Sequence, residues 1–207
     1  MSVLNLKRSF LTVVLVVLLV SGLALVDFAI QIKRTEGTVA PGTEASIGGS
    51  FSLIDQSGRS VTNSDYADRY KLIFFGFTHC PDVCPITLSR MSQMLKLLGP
   101  AADKLYPLFI TVDPERDRPE RLAQYAYAFD PRIIYLTGSN EEIAKVLEAW
   151  KATRAKVASQ SAAEEAYGMN HSSVVYLMTP DNRLASAYSE EVSAEQMAKA
   201  INVWLNP

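Results

Sequence analysis

With 207 residues, 48% of them apolar and 20% charged, the chain has room for one globular domain of ordinary size plus an appendage. The formal net charge is −2. It grows more acidic once the charges around the N-terminal apolar run are set aside, which argues against nucleic acid as a partner. Two cysteines are too few for a disulfide scaffold.

The first element is Phe10 to Val26, in which only Thr12 and Ser21 are polar and nothing is charged. Lys7 and Arg8 precede it; Asp27, Lys33 and Arg34 follow. Extended through Phe28, Ala29 and Ile30, it is long enough to span a bilayer and longer than the roughly 7–15 residue apolar core of a signal peptide. A cleaved signal, with Gly22-Leu23-Ala24 as the small-residue site, is the competing reading. No cysteine lies near residue 24, so lipid modification there is excluded. Positive charge flanks both ends; the acid-free Lys7-Arg8 side favours an N-terminus in the cytoplasm and a body beyond the membrane. Thr35 to Ser50 is rich in Gly, Thr, Ser and Pro without periodicity, as a flexible linker is. The expected organisation is therefore an anchor over 1–34, a linker over 35–50 and a folded domain over 51–207.

Within the domain, Phe51 to Ile54 and Ser60 to Thr62 flank Gln56-Ser57-Gly58-Arg59 as a hairpin. Asn63 is placed to cap a short helical turn through Asp68. Leu72 to Phe77 reads as a buried strand, and Ile86 to Leu98 as a helix with Leu88, Met91, Leu95 and Leu98 on one face, stopped by Gly99-Pro100. Leu105 to Val112 is a second buried strand, and Pro119 opens a helix to Phe129. Ile133 to Leu136 is a short strand. Ser139 and Glu142 form a capping box before a helix to about Trp150. Lys151 to Gly168, polar and Ala-rich, reads as further helix and then loop. His171 to Met178 is a strand, Thr179 to Asn182 a turn, Leu184 to Tyr188 its hairpin partner, and Ser193 caps a last helix to Leu205. Strands alternating with helices give an α/β layered sheet, whose sites lie at the carboxyl ends of strands. Cys80, Cys84 and Asp113 follow two such strands and are expected to be neighbours.

Both cysteines sit on the turn between the Leu72 strand and the next helix. Pro85 suits the first helical position, which puts Cys84 at the N-cap and Cys80 in the loop before it. Free N–H groups and the helix dipole stabilise a thiolate there, and thiolate is the form that binds soft metals and attacks disulfides. Three residues separate the cysteines, one more than in the C-x-x-C redox motif. Two buried structural cysteines would be an odd tenant for a Pro-flanked turn containing Asp82. A stapling disulfide would close too short a loop to stabilise the fold much.

The stretches F-G-F-T-H-C-P-D-V-C-P, T-V-D-P-E-R-D, L-T-G and N-H-S-S-V-V-Y-L, in that order, resemble the Sco/SenC family of thioredoxin-like copper proteins. The resemblance runs from about Phe51 to the C-terminus. It implies a thioredoxin-like layered α/β fold with a central mixed sheet, preceded by one N-terminal transmembrane helix. It implies a copper-binding protein, anchored in a membrane facing the periplasm or the mitochondrial intermembrane space, that helps to assemble the copper centre of cytochrome c oxidase. The partners it implies are the copper-receiving oxidase subunit and a copper donor protein or thiol reductant. The metal ligands it implies are Cys80, Cys84 and His171, a set suited to Cu(I), and to Cu(II) with an added ligand. Asn170 departs from the family's usual Asp before this histidine, keeping hydrogen bonding but losing charge.

Other residues carry less. His79 is expected to pack in the loop rather than ligate. Asp82 is either a tuner of the thiols, a partner contact or an exposed turn acid. Asp113 and Asp117 are supporting groups, partner contacts or caps beside Pro114 and Pro119. Met169 is expected to pack, and Met91 and Met94 to belong to a helix face. Two further functions stay open: a thiol–disulfide oxidoreductase that reduces the target's cysteines, and a peroxidase-like redox sensor without metal. A zinc Cys2His site is chemically possible too.

Overall fold

The computed structural model describes residues 47–158 and 167–206; the expected membrane anchor and most of the linker lie outside them. Among the described residues, no helix is long and apolar enough to cross a membrane.

The core is built on β3 (Tyr70–Gly76), whose Leu72 to Phe75 are wholly buried. A strand without a polar face must be covered on both sides. Phe74 turns toward Phe109 and His171, while its neighbour Phe75 turns the other way, against Trp150 and Tyr176. On one side β3 pairs in parallel with β4 (Leu105–Thr111), which pairs in parallel with β5 (Ile134–Thr137). β1 (Ser52–Asp55) adds antiparallel to β5, and β2 (Ser60–Thr62) adds antiparallel to β1. On its other side β3 pairs antiparallel with β8 (Val175–Met178), followed by β9 (Leu184–Tyr188). The result is a seven-stranded mixed sheet in the order β2-β1-β5-β4-β3-β8-β9.

Among the described residues four α-helices accompany the sheet: α1 (Val83–Leu98), α2 (Pro119–Ala126), α3 (Asn140–Ala149) and α4 (Ala194–Leu205). α1 buries Leu88, Met91, Met94, Leu95 and Leu98 and packs against α4. It ends at Gly99, whose φ of 54° is a left-handed conformation that glycine adopts without penalty. Ser139 and Ser193 cap α3 and α4 as their sequences indicate, each accepting the N–H three residues on.

Three local expectations change. The turn after β2 is capped by Thr62 rather than Asn63. The Asp65 carboxylate accepts the Thr62 N–H at 2.6 Å, and Asn63 Oδ1 instead accepts the Phe51 N–H. α2 stops at Ala126, its continuation to Phe129 breaking into single tight turns. The largest difference falls on Lys151 to Gly168, which is not helical in its described part. Arg154–Ala158 is a strand, β6, pairing antiparallel with β7 (Tyr167–His171). His171 therefore closes a separate two-stranded ribbon, and β8 begins only at Val175.

Candidate metal site

The site is assembled from two pieces of chain. The first is the turn between β3 and α1. Asp82, not Cys84, is the N-cap of α1, so Cys84 lies in the first turn and Pro85 after it. Proline costs no bond there, because the first N–H groups of a helix have no intrahelical acceptor; the first such bond runs from Ile86 N–H to the Asp82 carbonyl. One of those free N–H groups has a different acceptor: Cys84 N–H donates to Cys80 Sγ at 3.4 Å.

The second piece is the end of β7. With side chains alternating along a strand, Tyr167, Met169 and His171 share one face and Asn170 takes the other. Met169 is buried and Asn170 is exposed. His171 reaches across to the thiols, its Nε2 standing 3.4 Å from Cys84 Sγ. Its Nδ1 lies 3.0 Å from the Ser172 carbonyl oxygen, which can only accept. The Nδ1 proton is thereby fixed, and Nε2 keeps its lone pair toward the sulfurs. Phe77 at 5.7 Å and Phe74 at 6.3 Å, both edge-to-face, hold the ring in place.

One donor atom from each of Cys80, Cys84 and His171 lies within 4.8 Å of the others. Bonds of roughly 2.0–2.3 Å to a three-coordinate ion set such donors ~4 Å apart, so these residues fit a bound ion with little adjustment. Two sulfurs and an imidazole are the donors a soft ion such as Cu(I) prefers. Both cysteines are free thiols. Cys80, half-buried, is pushed down to about 3 by the hydrogen bond from the Cys84 thiol, against burial and with help from two backbone N–H groups. Cys84, wholly buried, is pushed far up by the same hydrogen bond and by desolvation. The pair thus carries one negative charge, on the sulfur nearer solvent.

The remaining candidates take supporting places. His79 stays outside the cluster, its Nδ1 at 3.1 Å from Thr78 Oγ1 and 3.8 Å from Asp117. Asp82 is exposed and makes no side-chain capping bond. Asp117, rather than Asp113, reaches the cysteine turn. Fully buried, it accepts hydrogen bonds from Thr78 N–H, Thr78 Oγ1 and Thr111 Oγ1. Burial nonetheless pushes it above the usual carboxylate range. Asp113 turns instead to Arg116 and the Tyr167 hydroxyl. The sequence reading missed Gly76, Phe77, Arg116 and Tyr167. Gly76, Phe77 and Arg116 lie inside the quoted stretches F-G-F-T-H-C and T-V-D-P-E-R-D, and the signal for Tyr167 is its alternation with Met169 and His171, legible once that stretch is taken as a strand.

A mixed sheet with α-helical cover and a dithiol–imidazole cluster at the strand-to-helix turn defines a thioredoxin-like protein with a soft-metal site. The SCO1/SenC family model matches residues 39–206, and the chain belongs to that family. It is similar to Protein sco1 of Schizosaccharomyces pombe, 38% identical over 156 residues, covering 75% of this chain and 59% of that one. It is likewise similar to the mitochondrial SCO2 homolog of Bos taurus, 38% identical over 174 residues, covering 83% and 63%. The chain thus matches about three fifths of the length of these curated relatives. Among solved structures, Bradyrhizobium japonicum ScoI with copper bound is 40% identical, with a TM-score of 0.70 over 76% of this chain and 99% of that one.

Proposed function

We propose that the protein is a copper chaperone that holds one copper ion through Cys80, Cys84 and His171 Nε2 and delivers it during assembly of the cytochrome c oxidase copper centre. The observation that carries this reading is the convergence of two sulfurs and a lone-pair-bearing imidazole nitrogen within 4.8 Å. Copper is cargo here, and a three-donor site favours release, since an acceptor can add a ligand before one is lost. Cys80 is the sulfur open to that exchange; Cys84 is the buried donor that keeps the ion from escaping, and His171, half-buried like Cys80, closes the site from the ribbon. Loading needs both thiols reduced, so a Cys80–Cys84 disulfide would switch it off. The apolar run at Phe10 to Val26 supports a single-pass anchor, with the domain on the periplasmic side of a bacterial-type inner membrane or the equivalent intermembrane-space face. Its partners are then the copper-receiving oxidase subunit and a donor of copper or of reducing equivalents.

The test uses the full-length chain in detergent, reduced and loaded anaerobically with Cu(I), with stoichiometry measured for wild type, Cys80→Ala, Cys84→Ala and His171→Ala. One tightly held copper, lost or much weakened in each variant, is the expected result. A wild type that retains none while exchanging disulfides rapidly overturns the proposal. That outcome leaves the second reading, a thiol–disulfide oxidoreductase, which the lowered Cys80 thiol beside a proton-bearing Cys84 favours.

A further inference from the structure

The ribbon that ends in His171 has no strand partner in the seven-stranded sheet among the described residues. What grips it is the segment from Asp113 to Asp117, just after β4. The Tyr167 hydroxyl donates to Asp113 Oδ1 at 2.8 Å, and Arg116 Nη1 donates to the Tyr167 carbonyl at 3.0 Å. Arg116 Nε donates to Asp113 Oδ2, and its guanidinium stacks 3.8 Å from the centre of the Tyr167 ring. Asp113 is 1% exposed, so its carboxylate is shielded from water while Arg116 and Tyr167 stay partly open to it. Lys156 and Glu115 add an ion pair at the rim.

The same segment grips the other half of the site. Asp117 holds Thr78, two residues before Cys80, through both its N–H and its hydroxyl. Arg116 also lies over the ring of Phe77, the ring that meets His171 edge-on. Five consecutive residues therefore hold the cysteine turn with one end and the histidine ribbon with the other.

We propose that Asp113, Arg116 and Tyr167 are positioning residues for His171, and that their grip on the ribbon decides how well the site takes Cu(II) relative to Cu(I). The inference rests on the reading that Cys80, Cys84 and His171 hold copper. Cu(I) accepts low coordination, so it loses affinity when the imidazole is removed but tolerates one that is held less firmly. Cu(II) needs the harder imidazole nitrogen held in place. Loosening the ribbon costs the second ion and largely spares the first.

The experiment uses the full-length chain in detergent, reduced, with Tyr167→Phe, Asp113→Asn, His171→Ala and the Tyr167→Phe/His171→Ala double variant. Tyr167→Phe removes one hydroxyl and keeps the stacked ring; Asp113→Asn is the independent variant should the first fold poorly. Without metal, amide hydrogen exchange is expected to speed up in β6 and β7 while β3 and β4 stay as in wild type. With metal, both single variants should bind Cu(II) about tenfold more weakly, the low end of what losing a group outside the ligands that orients a metal-bound histidine costs, while Cu(I) affinity moves less than about threefold. The double variant should be no weaker than His171→Ala alone. Unchanged exchange and Cu(II) affinity in both Tyr167→Phe and Asp113→Asn overturn the proposal, as does an additive loss in the double variant or faster exchange throughout the sheet. If His171→Ala itself leaves Cu(II) binding intact, the ligand reading falls and this inference with it. If His171→Ala weakens Cu(II) and neither Tyr167→Phe nor Asp113→Asn does, only the positioning role falls.

Discussion

At Gly76 a Cβ would stand 2.9 Å from Cys84 Sγ, 2.7 Å from Phe109 Cε2 and 3.1 Å from Phe74 Cε1. Glycine inside a strand ordinarily weakens it relative to alanine. Here none of the three neighbours has room to retreat, because all three residues are wholly buried. Gly76→Ala should therefore destabilise the reduced, metal-free protein by about 1–3 kcal/mol, the usual cost of overpacking. Urea unfolding measures this, and an equal or higher midpoint would refute it. The same contact makes Gly76 the floor on which the Cys84 sulfur rests, so the variant should also weaken Cu(I) binding. The asymmetry between the two cysteines is testable at the same scale. Cys80 is half-buried and ionised near pH 3, whereas Cys84 is wholly buried and protonated. Iodoacetamide should label Cys80 first, at a rate nearly flat between about pH 5 and 8, where an ordinary thiol speeds up roughly tenfold per unit. Peptide mapping that finds Cys84 labelled first, or a rate climbing through that range, contradicts the assignment.

Among the elements, the junction of α2 with α1 carries a pH dependence. Asp130 is buried, and its N–H donates to Ser92 Oγ on α1. Its carboxylate accepts from Arg132 Nε and Nη2, both at 2.8 Å, and from Arg132 N–H. Those bonds hold it below the usual carboxylate range. A lowered carboxyl stabilises the fold above its unfolded value near 3.9 and loses that contribution as pH falls through the folded one. Wild type should be more stable than Asp130→Asn at pH 6, and the gap should close below about pH 4. A gap that holds constant to pH 3 in urea midpoints would show that the carboxylate's charge plays no part. Elements whose ends carry their own chemistry were legible in the sequence. Ser193 with Gln196 marks α4, Ser139 with Glu142 marks α3, and Gly99-Pro100 marks the end of α1. β6 was not legible, because R-A-K-V-A has the residues of an exposed helix. It is a strand only because Tyr167 to His171 lies alongside it, a partner that local propensity does not register. The cost was to misplace His171 at the start of β8 rather than the end of β7. The three proposed ligands, Cys80, Cys84 and His171, come from the motifs that carry the family resemblance, which do not depend on where strands begin. Arg116 stands in the quoted T-V-D-P-E-R-D stretch, but what it and Tyr167 hold could be seen only once the ribbon was.

Taken as a whole, the molecule brings together donors that lie 87 residues apart in sequence, Cys84 and His171. Folding is what delivers the imidazole to the thiols; the thiols need no folding to find each other, being four residues apart. This division determines how copper acts on stability. An ion that binds the native state alone stabilises it by RT ln(1 + [L]/Kd), about 2.7 kcal/mol at one hundred times Kd. An unfolded chain with two nearby cysteines also binds Cu(I), and that binding subtracts from the gain. The net effect of Cu(I) on the unfolding midpoint therefore reports chiefly what the fold adds, namely His171 and the enclosure of Cys84. Cu(I) should raise the midpoint of the reduced wild type clearly and that of His171→Ala much less, even where the variant still retains copper on its thiols. Thermal or urea unfolding with and without one equivalent of Cu(I) makes the comparison. Equal shifts in the two proteins would mean that the dithiol turn holds the ion unaided, and that the fold's work in carrying a histidine across from a separate ribbon serves something other than copper.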